Sequence, residues 1–133
     1  EMKSLIDTMR KTVEDAGLSN VFKDVIRPPA WRMSPDAIRA AKDQGIKVLA
    51  LSSQTYTDGS LDYKGEDKKF GNVVYYTSCP PSLDLSLVKK TEIVYHACDW
   101  DKNYFSESMS KELLDFLIKN KGDYKFSFIE GLV

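Results

Sequence analysis

The stretch "SPDAIRAAKDQGIKVLALS", residues 34–52, decides the fold. Its first half is punctuated as a helix. The Ser34 hydroxyl suits the N-cap, where it accepts from an otherwise free backbone N–H. Pro35 suits the first helical position, because the N–H it lacks would be unpaired there anyway. Asp36 sets negative charge against the positive end of the helix dipole, and Gly45 closes the helix. Ala37, Ile38, Ala40 and Ala41 give it a slim apolar face. "IKVLALS" (46–52) follows at once. It is a nearly continuous apolar run of strand length, the pattern of a strand covered on both faces.

Outward from this unit the same alternation continues. Leu5, Met9, Val13 and Ala16 recur at near-helical spacing and predict a helix over 3–16, with Gly17 after it. "VFKDVI" (21–26) is β-branched and aromatic and predicts a strand, stopped by Pro28 and Pro29, which cannot continue a ladder. The polar segment 54–71 predicts a surface loop with a turn at Asp58 and Gly59. "NVVYYTS" (72–78) and "EIVYHA" (92–97) predict two further strands, and the neighbours Tyr75 and Tyr76 fall on opposite faces. "SESMSKELLDFLIKN" (106–120) predicts a helix with Met109, Leu113, Phe116 and Leu117 as its stripe, ended by Gly122. "YKFSFI" (124–129) alternates strictly and predicts a last strand. The expected fold is α/β in a single domain. It is either a partial (β/α) barrel or an open, largely parallel sheet of about five strands with flanking helices.

The bulk composition narrows the function classes. The chain has 133 residues and a formal net charge of −1, with both signs dispersed. No basic block or aromatic-basic stripe suggests a nucleic-acid face, and no apolar run approaches membrane-spanning length. Cys79 and Cys98 are the two cysteines. They fit no CxxC spacing, which leaves a zinc site or redox motif unsupported, and they read as two reduced structural thiols ahead of a disulfide.

In parallel α/β sheets, active groups gather at the C-terminal ends of the strands. Two segments put chemistry there. After strand 21–26 come Arg27, two stiffening prolines and Trp31. Arg27 suits holding a carboxylate, and Trp31 suits an apolar wall. After the strand at 92 comes His96, the single histidine of the chain, followed by Asp99 and Trp100. His96 carries an imidazole, the side chain suited to proton donation to a leaving group. Asp99 stands close enough in sequence to orient it. Each of these has a structural reading too: a satisfied strand-end histidine, a loop-anchoring arginine, two tryptophans lidding a core.

The residues that carry these corners also carry a resemblance. "IRPPAWRMSPDAIRAAKDQGIKVLAL" resembles the polysaccharide deacetylases, carbohydrate esterase family four, in which an arginine-proline corner follows a strand. "IVYHACDW" resembles the family's later strand ending in histidine. The similarity runs from about Leu5 to Leu132 and is nearest to divergent members with RPPxW and YHxxDW. It implies a metal-dependent N-deacetylase of acetylated sugars on an incomplete (β/α) barrel, with zinc or another divalent metal as cofactor. By resemblance, Arg27 would hold the catalytic-base aspartate and His96 would protonate the leaving amine. Trp31 would wall the substrate groove, Val94 would stand beside the acetyl methyl, and Asp99-Trp100 would substitute for an Asp-Trp absent after the middle strand.

The chain departs from that family in one decisive count. The family's metal site needs an Asp-Asp motif and two upstream histidines, but this sequence has one histidine and no Asp-Asp pair. No metal ligand set, and so no cofactor, is assigned within this chain. The leading expectation is the C-terminal portion of a deacetylase, inactive alone and completed by an N-terminal half or a second copy. The alternative is a non-catalytic deacetylase-like domain that binds a glycan or a protein. A third, an unrelated α/β enzyme using His96, Asp99 and Ser52 or Ser53, lacks the nucleophile-elbow motif.

Overall fold

The 34–52 unit folds as its punctuation requires. In the computed structural model, which describes residues 1–52, 69–76, 82–85, 89–96 and 105–133, α2 spans Pro35–Asp43. The Ser34 hydroxyl accepts from the Ala37 N–H at 3.1 Å. Gly45 takes φ +75°, a conformation a side chain disfavours, and lets the Ile46 N–H reach back to the Ala41 carbonyl at 3.0 Å. The chain then enters β2, Val48–Leu51, whose four residues are all fully buried.

Other regular elements among the described residues include α1 (Met2–Asp15), β1 (Val25–Ile26), β3 (Val73–Tyr75) and α3 (Glu107–Asn120). Three 3-10 turns, Ser19–Val21, Pro29–Trp31 and Ile129–Leu132, complete them. The sheet is open, has three strands in the order β1-β2-β3, and both pairings are parallel. Val25 stands opposite Val48, and Ala50 opposite Val74. Beyond β3, Tyr76 makes an isolated parallel bridge to Glu92. The strands therefore follow one another across the sheet in chain order.

Pleating sends alternate residues to opposite faces. Leu49 and Leu51 join Ile6 of α1 and Ile38 and Ala41 of α2 in one buried cluster, with Met33 and Ile46 at its ends. Val48, Ala50 and Val74 point the other way and are equally inaccessible. Burying each such aliphatic side chain contributes about 1.5–3 kcal/mol. An ion-paired strap ties α1 to the entry of β1. Asp24 accepts from Arg10 at 3.0 Å and lies 3.3 Å from Lys47, while the Arg10 guanidinium sits over the Phe22 ring.

The expectation of about five strands, or of a barrel arc of that size, is corrected: the described residues hold a three-stranded open sheet, with the isolated Tyr76–Glu92 bridge beyond it. In "VFKDVI" only Val25 and Ile26 find a ladder partner, because Val21 closes a 3-10 turn first. "YKFSFI" forms no strand. Phe126 and Phe128 are 60% and 86% exposed, and Ile129 begins a 3-10 turn. Period-two alternation allows a strand, but a neighbour must supply the ladder.

The α1 stripe is also rotated from its predicted position. Ile6 faces the core, flanked by half-buried Met2, whereas Leu5 and Met9 are 55% and 57% exposed. In α3 the Ser106 hydroxyl caps the Met109 N–H at 3.3 Å, as the sequence suggests. No residue of α3 is fully buried, and Leu113, Phe116 and Leu117 instead line a cavity of about 560 Å³ against residues 89–95. The Asp58–Gly59 turn and both cysteines lie outside the described residues.

Candidate functional site at the C-terminal edge of the sheet

The register places the site. Ile26 packs toward the helices, so Arg27, one residue further, starts on the opposite face. Ser52, Tyr76 and Glu92 follow the same alternation: Leu51 and Tyr75 face the helices, and Glu92 bridges Tyr76. Four polar residues from four consecutive segments thus share one face at one end of the sheet. Val25, Val48, Ala50 and Val74 stand below them on this face among the described residues. Small side chains there leave room for long ones to meet above.

Two of them do meet. Arg27 donates to Glu92 Oε1 at 2.7 Å, across the width of β2 and β3. Glu92 is held on its own side by Thr91, whose hydroxyl donates to the Tyr75 carbonyl at 2.6 Å. The Glu92 side chain is 12% exposed, whereas that of Arg27 is 54% exposed. The Glu92 Oε2 atom is buried without a hydrogen-bond partner among the described residues.

The Pro28-Pro29 corner aims Trp31 at the same place. Ala30 and Trp31 both take φ +52°, a left-handed conformation that costs L-residues roughly 1–2 kcal/mol each. The turn is closed by the Trp31 N–H donating to the Pro28 carbonyl at 3.0 Å. The Trp31 carbonyl in turn accepts from the Ser52 N–H at 3.0 Å, locking the corner onto the end of β2. The indole lies against the Tyr76 ring, with centroids 4.8 Å apart, and stacks on the His96 imidazole at 6.0 Å and 13°. Its Nε1 donor is buried without a partner among the described residues.

The structure therefore brings Arg27, Trp31, Val94 and His96 to one end of the sheet in two subgroups. Trp31 and His96 stack together over Tyr76. Arg27 and Val94 line the cavity beneath α3, where Arg27 holds Glu92. Asp99 and Trp100 lie outside the described residues. Tyr95, also on the cavity wall, packs edge-on to Phe105 at 4.7 Å, and burial, with Glu112 nearby, holds its hydroxyl above the usual titration range. The Phe105 N–H donates to the His96 carbonyl, joining the approach to α3 to this corner.

Glu92 was not singled out from the sequence. Its signal was slight: an acidic residue opening an apolar run, where burial forces it to find a cation. Tyr76 was legible only as one of two tyrosines on opposite faces, and Tyr75 proves to be the one packed against the core cluster.

Among the described residues no group of three or more His, Cys, Asp or Glu side chains converges to hold a metal. Glu92 is engaged by Arg27, and His96 is stacked on Trp31. The described residues by themselves do not fit the divalent ion that the family resemblance implies. No helix among the described residues is long and apolar enough to cross a membrane. What the arrangement offers chemically is an imidazole stacked on an aromatic wall, beside an arginine–carboxylate pair whose carboxylate is nearly enclosed.

The fold and this edge define an α/β protein with its polar side chains collected at the C-terminal ends of parallel strands. The chain matches no family model, no curated protein and no solved structure at a significant level.

Proposed function

We propose that this chain is the C-terminal part of a metal-dependent deacetylase of N-acetylated sugars or polysaccharides, with the metal ligands supplied by residues outside it. The observation that carries the reading is the Trp31–His96 stack. It joins the two segments that resemble the family, the arginine-proline corner and the strand-end histidine, at one edge of one sheet. The sequential parallel order of the strands is that of successive β-α units in an open α/β sheet. Among the described residues β1 has a ladder partner on one side only, and Leu5 and Met9 of α1 stand open to solvent. Both are the features expected where further strands and helices would add.

In this reading the chain's own residues have separable tasks. Trp31 walls the groove and keeps the sugar face dry. His96, held parallel to the indole, delivers a proton to the amine nitrogen as the amide C–N bond breaks. Arg27 fixes a carboxylate. In this chain that carboxylate is Glu92.

The test begins with the mass and sequence of the parent polypeptide, in search of an Asp-Asp pair and a His-x-x-x-His motif upstream. The upstream half and this chain are then combined, and acetate release from an N-acetylglucosamine oligomer is followed with and without zinc. Activity in the combination and none in either part supports the reading. Zinc-dependent acetate release by the 133-residue chain alone would overturn it. The Arg27–Glu92 pair favours a second reading, a deacetylase-like domain that binds glycan without cleaving it, because Arg27 is already engaged within the chain. A parent lacking both motifs, yet retaining oligomer binding, would decide for that one.

A further inference from the structure

Trp31 and His96 do not line the cavity beneath α3. Its volume is about 560 Å³, within the ordinary range of small-molecule sites. Leu85, Val94, Leu113, Phe116 and Leu117 give it an apolar wall. The Tyr124 ring, 5.7 Å from that of Phe116, carries the wall into the C-terminal segment. Protein interiors are packed with few voids larger than a water molecule. A cavity of this size leaves the apolar stripe of α3 short of atoms to pack on, and no residue of that helix is fully buried. The polar lining is one-sided. Arg27, Lys89, Lys90 and Lys125 stand against one carboxylate among the described residues, Glu92, which Arg27 already holds. The whole chain has a net charge of −1, so this gathering of cations is local rather than a reflection of composition. The three lysines are exposed, the arrangement in which an aliphatic stem covers apolar surface and the ammonium stays in water. No ion pair joins any of the three to another described residue.

We propose that this cavity binds a small amphipathic anion, a carboxylate on an acyl chain of medium length. The chain lies against Leu113, Phe116 and Leu117, and the carboxylate is met by the ammonium groups of Lys89, Lys90 and Lys125. Burial of the chain supplies affinity that has no direction. The lysines select the sign of the head group, because opposite charge is attracted and like charge repelled. A neutral alcohol of the same length covers the same wall but leaves the cations unmatched, and an amine of that length meets repulsion. The proposal does not depend on the deacetylase reading, which uses the Trp31–His96 stack and an upstream metal site.

The experiment titrates the 133-residue chain with three probes of equal length, decanoate, decanol and decylammonium, by calorimetry, while NMR follows the Leu113 and Tyr124 signals. Decanoate is expected to bind saturably and roughly tenfold tighter than decanol, since a hydrogen bond to a charged group contributes more than a neutral one. Decylammonium should bind weakest. Lys89→Glu, Lys90→Glu and Lys125→Glu, made together, change exposed positions and should leave the fold intact. They should reverse the order of decanoate and decylammonium. Leu113→Trp, which fills the cavity, should weaken all three probes. If that variant does not fold, the charge-reversed one still decides. Equal affinity for the three probes would overturn the proposal, as would decanoate binding unchanged in the charge-reversed variant. So would a dimer in sedimentation that takes up no decanoate, because a second copy of the chain would then fill the cavity.

Discussion

Arg27 and Glu92, 65 positions apart in the chain, are joined by a 2.7 Å hydrogen bond between guanidinium and carboxylate. The pair crosses the sheet above Ala50 and Val74, whose small side chains leave the space open. Because the Glu92 side chain is nearly enclosed, the two ends of the bridge are not equivalent. Removing Arg27 strands a buried carboxylate, whereas removing Glu92 frees a half-exposed guanidinium.

That asymmetry is measurable by urea denaturation. Arg27→Ala should destabilise the chain by about 1–3 kcal/mol. Glu92→Ala should cost less, and the double variant should be no worse than Arg27→Ala. Arg27→Lys should recover only part of the loss, because an ammonium lacks the planar fork. If Arg27→Ala matched the wild type, the pair would count as an ordinary surface bridge of little worth.

Asp24 supplies a pH dependence with a definite sign. The Arg10 guanidinium holds its carboxyl below the usual carboxylate range, against an opposing push from burial and with help from Lys47. A carboxyl depressed in the folded state stabilises the fold above its unfolded pKa. That contribution is lost as pH falls through the folded value. The urea midpoint of the wild type should therefore fall more steeply than that of Asp24→Asn between about pH 5 and about pH 2. The variant should be the weaker of the two at neutral pH, and the curves should meet in acid. Parallel curves would mean the strap carries no net stability.

The left-handed corner gives a test of strain. Ala30 is exposed and sits at φ 52° and ψ 22°. Ala30→Gly removes the Cβ that disfavours this conformation, and up to about 1 kcal/mol of stability should be gained. Ala30→Val, β-branched, should lose about 1–3 kcal/mol and loosen the Trp31 stack, seen as a red shift in Trp fluorescence. A stabilising valine would show that the corner is not left-handed in solution.

His96 can be separated from its stacking role. On the proposed deacetylase reading, His96→Phe in the combined halves keeps an aromatic ring against Trp31 but cannot transfer a proton. Its kcat should fall by roughly 10²–10⁴ with KM little changed. His96→Ala should fall at least as far and should also disturb Trp31. Full activity in His96→Phe would remove the imidazole from the mechanism.

Core and surface leucines should diverge although the sequence presents them alike. Leu49→Ala, at a fully buried position, should cost about 2–5 kcal/mol. Leu5→Ala and Met9→Ala, on the open side of α1, should stay within about 0.5 kcal/mol. A large loss at Leu5 would reveal a partner covering that side.

The elements legible from the sequence were those whose signals are local. Ser34, Pro35 and Gly45 marked both ends of α2 because capping and positive φ depend on a few neighbouring residues. "IKVLALS" read as a doubly covered strand because continuous apolarity leaves no exposed face, and β2 is buried throughout. The corners at Arg27, Trp31 and His96 were legible as polar or aromatic groups following strand-like runs. Tertiary structure alone decided which alternating segments would find ladder partners. Thus Val25 and Ile26 pair while Phe126 and Phe128 do not, since a strand's hydrogen bonds belong to its neighbour. It alone turned Ile6 inward and Leu5 outward, because the α1 stripe is set by where α2 packs. It also made Glu92 the partner of Arg27. That contact follows from parallel register and the small side chains between them, and neither is written in the residues adjacent to either one.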